Sequence, residues 1–189
     1  MITILIIIIC TIIFLYINIF KKDDKGRTAM KLGAFYPPYV RDQHQYYRMI
    51  TCHFIHVDFM HWFMNMYCIY SLGSFFEGLL GTIGYLILIL FSMLTASFMC
   101  LSVANLNNRY ERTITIGASG IFYGYLGAII GLALLKGGGY IYLLREFMFV
   151  ILINIFFTLF NQNISKTGHL GGMIGGIMAI IVLVFIGYI

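Results

Sequence analysis

Two segments of this chain carry side chains that could perform covalent chemistry together. The first is ITIGASGIFYG, residues 114–124, with Ser119 at the head of an apolar run. A helix N-terminus presents unpaired N–H groups and a partial positive charge, which stabilise an alkoxide or a nearby oxyanion. Its plain alternative is an N-cap serine flanked by packing glycines. The second is TGHLGGMIGG, residues 167–176, with His169 at the head of another apolar run. A serine hydroxyl and an imidazole within hydrogen-bond reach form a nucleophile and its general base. Read alone, His169 is also compatible with an interfacial histidine bonded to a carbonyl.

The glycines around these residues link them. Gly168, Gly172 and Gly176 recur every four residues, as do Gly171, Gly175 and Ala179. The run after Ser119 answers with Gly120, Gly124 and Ala128, and with Gly127 and Gly131. Small residues at i, i+4 let membrane helices approach closely, so the two stripes predict neighbouring helices. Pairing through them sets Ser119 and His169 at matching depths. Tyr123 lies one turn below Ser119 on the same face, where it could pack on the imidazole. No Asp or Glu lies near enough in any apolar run to complete a Ser-His-Asp triad, so a Ser119–His169 dyad is the economical hypothesis. The G-x-S-x-G elbow of other hydrolases does not fit, because Ile121 replaces its last glycine and no strand precedes.

A third cluster is HFIHVDFMHWFMNMY, residues 53–67. His61 and Asn65 share one helix face, His56 sits near the helix start, and Asp58 is a candidate cap. Three histidines raise zinc, but the spacing is not HExxH and no cysteine pair completes a set. Donors aimed at a developing oxyanion are the functional alternative, and interhelical hydrogen bonding is the plain one. Glu77 and Asn154 are read as structural. Cys10, Cys52, Cys68 and Cys100 have no metal-like spacing and are read as small buried hydrophobes.

What must position these groups is a membrane protein. The chain has 189 residues, 61% hydrophobic and 10% charged, with a mean hydropathy of +0.92. A soluble domain of this size could not hide so much apolar surface. The net charge of +5 is scattered over loops, which argues against nucleic-acid binding. Apolar runs near 2–20, 57–79, 82–104, 119–135, 141–160 and 168–188 are each near the ~20 residues needed to cross a bilayer. They predict an all-α polytopic bundle of six transmembrane helices forming a single domain over residues 1–189. The first run lacks a basic n-region and a small-residue cleavage site, so it reads as a retained helix. Residues 21–56 form the longest loop. Pro37-Pro38 argues against regular helix there, and Tyr36, Tyr39, Tyr46 and Tyr47 favour the lipid headgroup level. An even helix count puts both termini on one side. Ten of the twelve Lys and Arg residues then fall on the opposite side, which by the positive-inside rule places the termini outside.

Taken together, these segments resemble the rhomboid family of intramembrane serine proteases over about residues 53–179. GASG resembles the family's G-x-S-G and GHLGGMIGG its H-x-x-G-x-x-x-G helix. HVDFMHWFMN resembles its H-x-x-x-x-H-x-x-x-N segment, and Gly73 with Glu77 its G-x-x-x-E. The resemblance implies Ser119 as nucleophile and His169 as base. It implies an oxyanion site of His61, Asn65 and the Ser119 amide. Tyr123, His56, Gly117, Gly172 and Gly176 are then supporting residues. It implies transmembrane protein substrates met in the lipid bilayer, no metal or organic cofactor, and a bacterial plasma membrane. It implies the opposite orientation to the charge count, with the N-terminus inside. A rhomboid-like protein that binds membrane helices without cutting them is the alternative function. One departure is the lack of a Trp-Arg pair in the long loop, since the sole tryptophan is Trp62.

Overall fold

The structure is a computed structural model that describes residues 1–21, 24–160 and 165–189. Lys22, one of the loop-side cations, lies outside these. Helix α1 (Ile2–Leu15) runs on through a π-helical turn to Phe20. Three short helices follow, α2 (Lys25–Leu32), α3 (Pro37–Arg41) and α4 (Arg48–Thr51). Then come α5 (Phe59–Cys68), a π-helical segment (Ile69–Gly73) and α6 (Ser74–Leu106). Helices α7 (Ser119–Lys136), α8 (Gly139–Phe160) and α9 (Lys166–Phe185) complete the chain. Among the described residues the only β pairing is an isolated antiparallel bridge between Phe35 and Thr115. The all-helical expectation is met.

Five helical stretches are long and apolar enough to cross a membrane: Ile2–Phe20, Phe59–Leu106, Ser119–Lys136, Gly139–Phe160 and Lys166–Phe185. The sequence reading has two spans, 57–79 and 82–104, where the structure has one helical stretch of 48 residues. That stretch is broken at Gly81, whose φ of 65° and ψ of 178° are not helical. A side chain would strain this backbone, and glycine carries none.

Helix α7 is buried along most of its length, whereas α8 is mostly exposed. The glycine stripes explain why α7 can be central. A Cβ on Gly172 would fall on the Gly120 carbonyl oxygen, and one on Gly176 on the Gly124 carbonyl oxygen. The α7 and α9 backbones therefore touch, as the stripes predict. Gly171 and Gly175 face elsewhere, onto Thr95, Ala96 and Phe91 of α6. So α9 packs closely on two helices at once. Alongside the stripes, the Tyr85 and Tyr125 hydroxyls meet at 2.6 Å, and Phe76 stacks on Tyr125 with centroids 5.5 Å apart. Glu77 holds the first turn of α1 by accepting from the Ile2 amide (2.7 Å), the Thr3 amide (2.9 Å) and the Thr3 hydroxyl (2.7 Å). The structural reading of Glu77 fits these bonds. Large apolar side chains such as Ile8 and Ile12 on α1 and Phe149 and Phe156 on α8 stay exposed, as lipid contact allows.

In the long loop, the expectation that Pro37-Pro38 bars helix is corrected. The two prolines occupy the first turn of α3, where their missing N–H groups would have no intrahelical partner anyway and their fixed φ suits the helix. Trp62 stacks on Phe14 at 4.9 Å and so braces α1 against α5. The loop is braced by Arg48, only 4% exposed. Its guanidinium donates to the Met30 and Ala34 carbonyls, both at 2.8 Å, and to Gln45 Oε1 at 2.6 Å. It also lies over the Tyr39 ring, 4.9 Å from the centroid. Arg41 clips α3 to the loop after α6, pairing with Asp42 (2.7 Å) and Glu111 (3.1 Å). Hydrogen bonds from Arg41 hold the Asp42 carboxyl below its ordinary range. Replacing Arg48 with Met should destabilise the protein by about 2–4 kcal/mol, since the buried Ala34 carbonyl and the half-buried Met30 carbonyl lose their donor. Thermal unfolding in detergent would measure this. Arg48→Lys should not restore stability, because an ammonium cannot reproduce the planar fork.

Candidate active site

The chain reaches Ser119 along a path fixed by main-chain bonds. Thr115 exchanges both bridge hydrogen bonds with Phe35, at 3.0 and 3.1 Å, and the Gly117 amide donates to the Cys52 carbonyl at 2.9 Å. The Ala118 amide donates to His56 Nε2 at 3.2 Å. Gly117 adopts φ +107°, and a Cβ there would run into the His61 ring. Glycine is therefore required twice over, by conformation and by space. Past this turn α7 begins. The Ser119 and Gly120 amides have no partner among the described residues, as expected for donors at a helix start.

His56, His61 and Asn65 gather around the same turn. Asp58 caps α5 by accepting from the His61 amide at 2.8 Å, as its sequence position suggests. His56 Nε2 takes hydrogen bonds from the Ala118 amide and from Asn65 Nδ2 (3.2 Å), so its proton resides on Nδ1. His56 is thus a strut between the starts of α5 and α7. Burial, aided by nearby His61, pushes its pKa down to about 3, so it stays neutral there. The second Asn65 Nδ2 proton goes to the His61 carbonyl at 3.0 Å. The His61 ring lies edge-on to His56 at 5.1 Å and is half-buried.

His169 lies at the start of α9, only 8% exposed. The Tyr123 ring stacks on its imidazole, with centroids 4.0 Å apart and planes at 20°. Thr158 Oγ1 of α8 lies 2.9 Å from His169 Nδ1. Ser119, His169 and Gly117 line one cavity of about 20 Å³, together with His53, Ser97, Cys100 and Ser165. That is room for about one water molecule. No hydrogen bond joins Ser119 Oγ to His169 among the described residues. Nor do three His, Cys, Asp or Glu side chains among them gather closely enough to hold a metal ion.

A family model, the Rhomboid domain, matches residues 43–185. This chain belongs to the rhomboid family. It is therefore an integral, multi-pass membrane protein, in keeping with its apolar helices. Rhomboid protease GluP of Bacillus subtilis (strain 168) is 28% identical over 138 residues, covering 72% of this chain and 26% of that protein. Rhomboid-like protease 5 of Toxoplasma gondii is 28% identical over 157 residues, covering 80% of this chain and 18% of that protein. RHOMBOID-like protein 1 of Arabidopsis thaliana is 28% identical over 154 residues, covering 80% of this chain and 38% of that protein. This rhomboid chain thus spans well under half the length of each. With a bacterium, a plant and a parasite among the relatives, they do not single out a bacterial membrane.

Two residues at the candidate site have contacts that the sequence does not assign. His53 binds the Met93 carbonyl (3.1 Å) and Ser97 Oγ (3.2 Å) through Nε2, and its buried Nδ1 has no partner among the described residues. Burial pushes its pKa down to about 4. Thr158 is the other, a single hydroxyl near the end of α8. No periodic spacing ties it to His169. Asn154, read as helix-to-helix bonding, bonds its own helix at the Val150 carbonyl (2.8 Å). Its carbonyl accepts the Tyr123 hydroxyl at 2.7 Å.

Proposed function

We propose that this chain is an intramembrane serine endopeptidase that cleaves transmembrane segments of other proteins through Ser119 and His169. The observation that carries it is the shared cavity. A half-buried serine at a helix start with unpaired amides lines the same water-sized space as an imidazole whose ring is clamped by Tyr123. A second crossing pair supports the frame. The 48-residue stretch is about 70 Å long if helical throughout, roughly twice the hydrocarbon core. Read as two spans meeting at the Gly81 break, it brings the crossings to six.

In this reaction a substrate helix enters from the bilayer and unwinds locally, because a hydrogen-bonded helix hides the scissile carbonyl. Ser119 Oγ adds to the carbonyl carbon as His169 Nε2 takes its proton. The oxyanion sits at the Ser119 amide with His61. Asn65 joins by exchanging its bond to the His61 carbonyl for one to the oxyanion. Each such donor is worth about 3–4 kcal/mol in the transition state. His169 then protonates the leaving amine as the C–N bond breaks. A water then adds to the acyl carbon as His169 takes its proton; the C–Oγ bond breaks, His169 returns the proton to Ser119 Oγ, and the carboxylic acid product leaves.

A fluorophosphonate probe tests this reading. Labelling of the wild type in membranes or detergent, lost in Ser119→Ala and His169→Ala, is the expected result. No labelling of a folded wild type would leave a rhomboid-like helix-binding protein instead.

A further inference from the structure

We infer that Thr158 is a positioning residue that fixes the tautomer of His169, holding its proton on Nδ1 and leaving Nε2 free to act as base. This deepens the dyad reading and rests on it. The assignment follows from counting protons along four groups. The Asn154 carbonyl can only accept, so the single Tyr123 hydroxyl proton points to it, at 2.7 Å. Tyr123 and Thr158 oxygens lie 2.5 Å apart, and a proton must lie between them. Since that of Tyr123 is committed, it is the proton of Thr158. The Thr158 oxygen then faces His169 Nδ1 at 2.9 Å with a lone pair, so Nδ1 carries the hydrogen and donates. The neutral ring has only one N–H, which leaves Nε2 unprotonated.

Thr158 also departs from a common pattern among the hydroxyl side chains of these helices. Thr11, Ser92 and Thr95 each donate to the carbonyl four residues back, at 2.7, 2.6 and 2.6 Å. That is the ordinary resting place of a helical hydroxyl. For Thr158 the carbonyl four residues back is Asn154, which accepts Tyr123 instead. The hydroxyl turns across the bundle to two side chains. Thr158 is 7% exposed and Tyr123 4%, so little water competes for these bonds. The same chain of bonds fixes the imidazole plane, because Tyr123 both stacks on the ring and anchors the threonine. A neutral hydroxyl here does the orienting that an aspartate does in a triad, without adding a charge at membrane depth.

The test uses full-length protein with Thr158→Val, which keeps shape and loses the hydroxyl, and Thr158→Ser, which keeps the hydroxyl. Cleavage of a transmembrane substrate by T158V should lose about 10-fold to 100-fold in kcat, on the scale of one hydrogen bond and a redistributed tautomer, with KM within about two-fold. T158S should recover to within about three-fold of wild type. Nitrogen NMR of histidine-labelled protein, with the His169 signal identified by its loss in His169→Asn, reads the tautomer directly. Wild type and T158S should show protonated Nδ1, and T158V a mixture. An Nδ1-protonated ring that persists unchanged in T158V overturns the proposal, as does a T158S enzyme no better than T158V. Failure of the dyad reading looks different: Ser119→Ala would keep cutting while the NMR signal still responded to T158V.

Discussion

Replacing Ser119 with alanine should abolish cleavage of a membrane substrate while leaving the folded protein intact, and replacing His169 should cost as much. Where a nucleophile and its base act as one unit, losing either forfeits their shared contribution. In a serine protease this is on the order of 10⁶ in kcat. The double variant Ser119→Ala/His169→Ala should therefore be no slower than either single variant. Additive losses would mean that the two residues act independently, and retained cleavage in Ser119→Ala would sink the assignment. The geometry makes Ser119→Ala a clean removal. Its hydroxyl makes no hydrogen bond among the described residues, and the helix start is held instead by Gly117, Ala118 and His56. His61→Ala should act differently, lowering kcat by a few hundred-fold, on the order of one oxyanion donor, while leaving fluorophosphonate labelling detectable.

How much of this was legible in the sequence depended on whether a feature is local. The glycine stripes are periodic along one helix, so their close approach could be foreseen; the carbonyl of Gly120 against Gly172 is that expectation in atoms. Asp58 as a cap and His61 with Asn65 on one face follow from spacing within a turn. Thr158 and His53 were not legible, because their roles exist only where separate helices meet and no spacing encodes that. Which helix each stripe meets was also hidden: Gly171 and Gly175 serve α6, although they look like a second copy of the α7-facing stripe. Pro37 and Pro38 misled because a residue that breaks a helix interior is well suited to its first turn. The count of crossings fell between these cases. The apolar runs divide near residue 81, where the structure has one helical stretch of 48 residues broken by the non-helical backbone of Gly81.

The same glycines set a second large effect. Gly176→Ala should prevent α7 and α9 from docking and so destroy both fold and activity, although it adds one methyl group to a helix that alanine ordinarily favours. The obstacle is what decides this. The new Cβ would meet the Gly124 carbonyl oxygen, and the Ala128 amide nitrogen lies only 2.9 Å from it. Backbone atoms in the central helix cannot rotate away as a side chain can. The helices must move apart, and the glycine contacts along both stripes are lost together with the depth match of Ser119 and His169. A loss of about 3 kcal/mol or more is expected, at or beyond the upper end for overpacking. Gly78→Ala supplies the control. It lies in α6 with nothing within 4 Å of its Cβ position, so alanine should stabilise the helix by about 0.5–1 kcal/mol. Unfolding titrations of the two variants in mixed micelles would separate packing from propensity. If Gly176→Ala unfolds with the wild type, the backbone contact is not what holds α9 to α7, and the placement of His169 must rest on α6 and α8 instead.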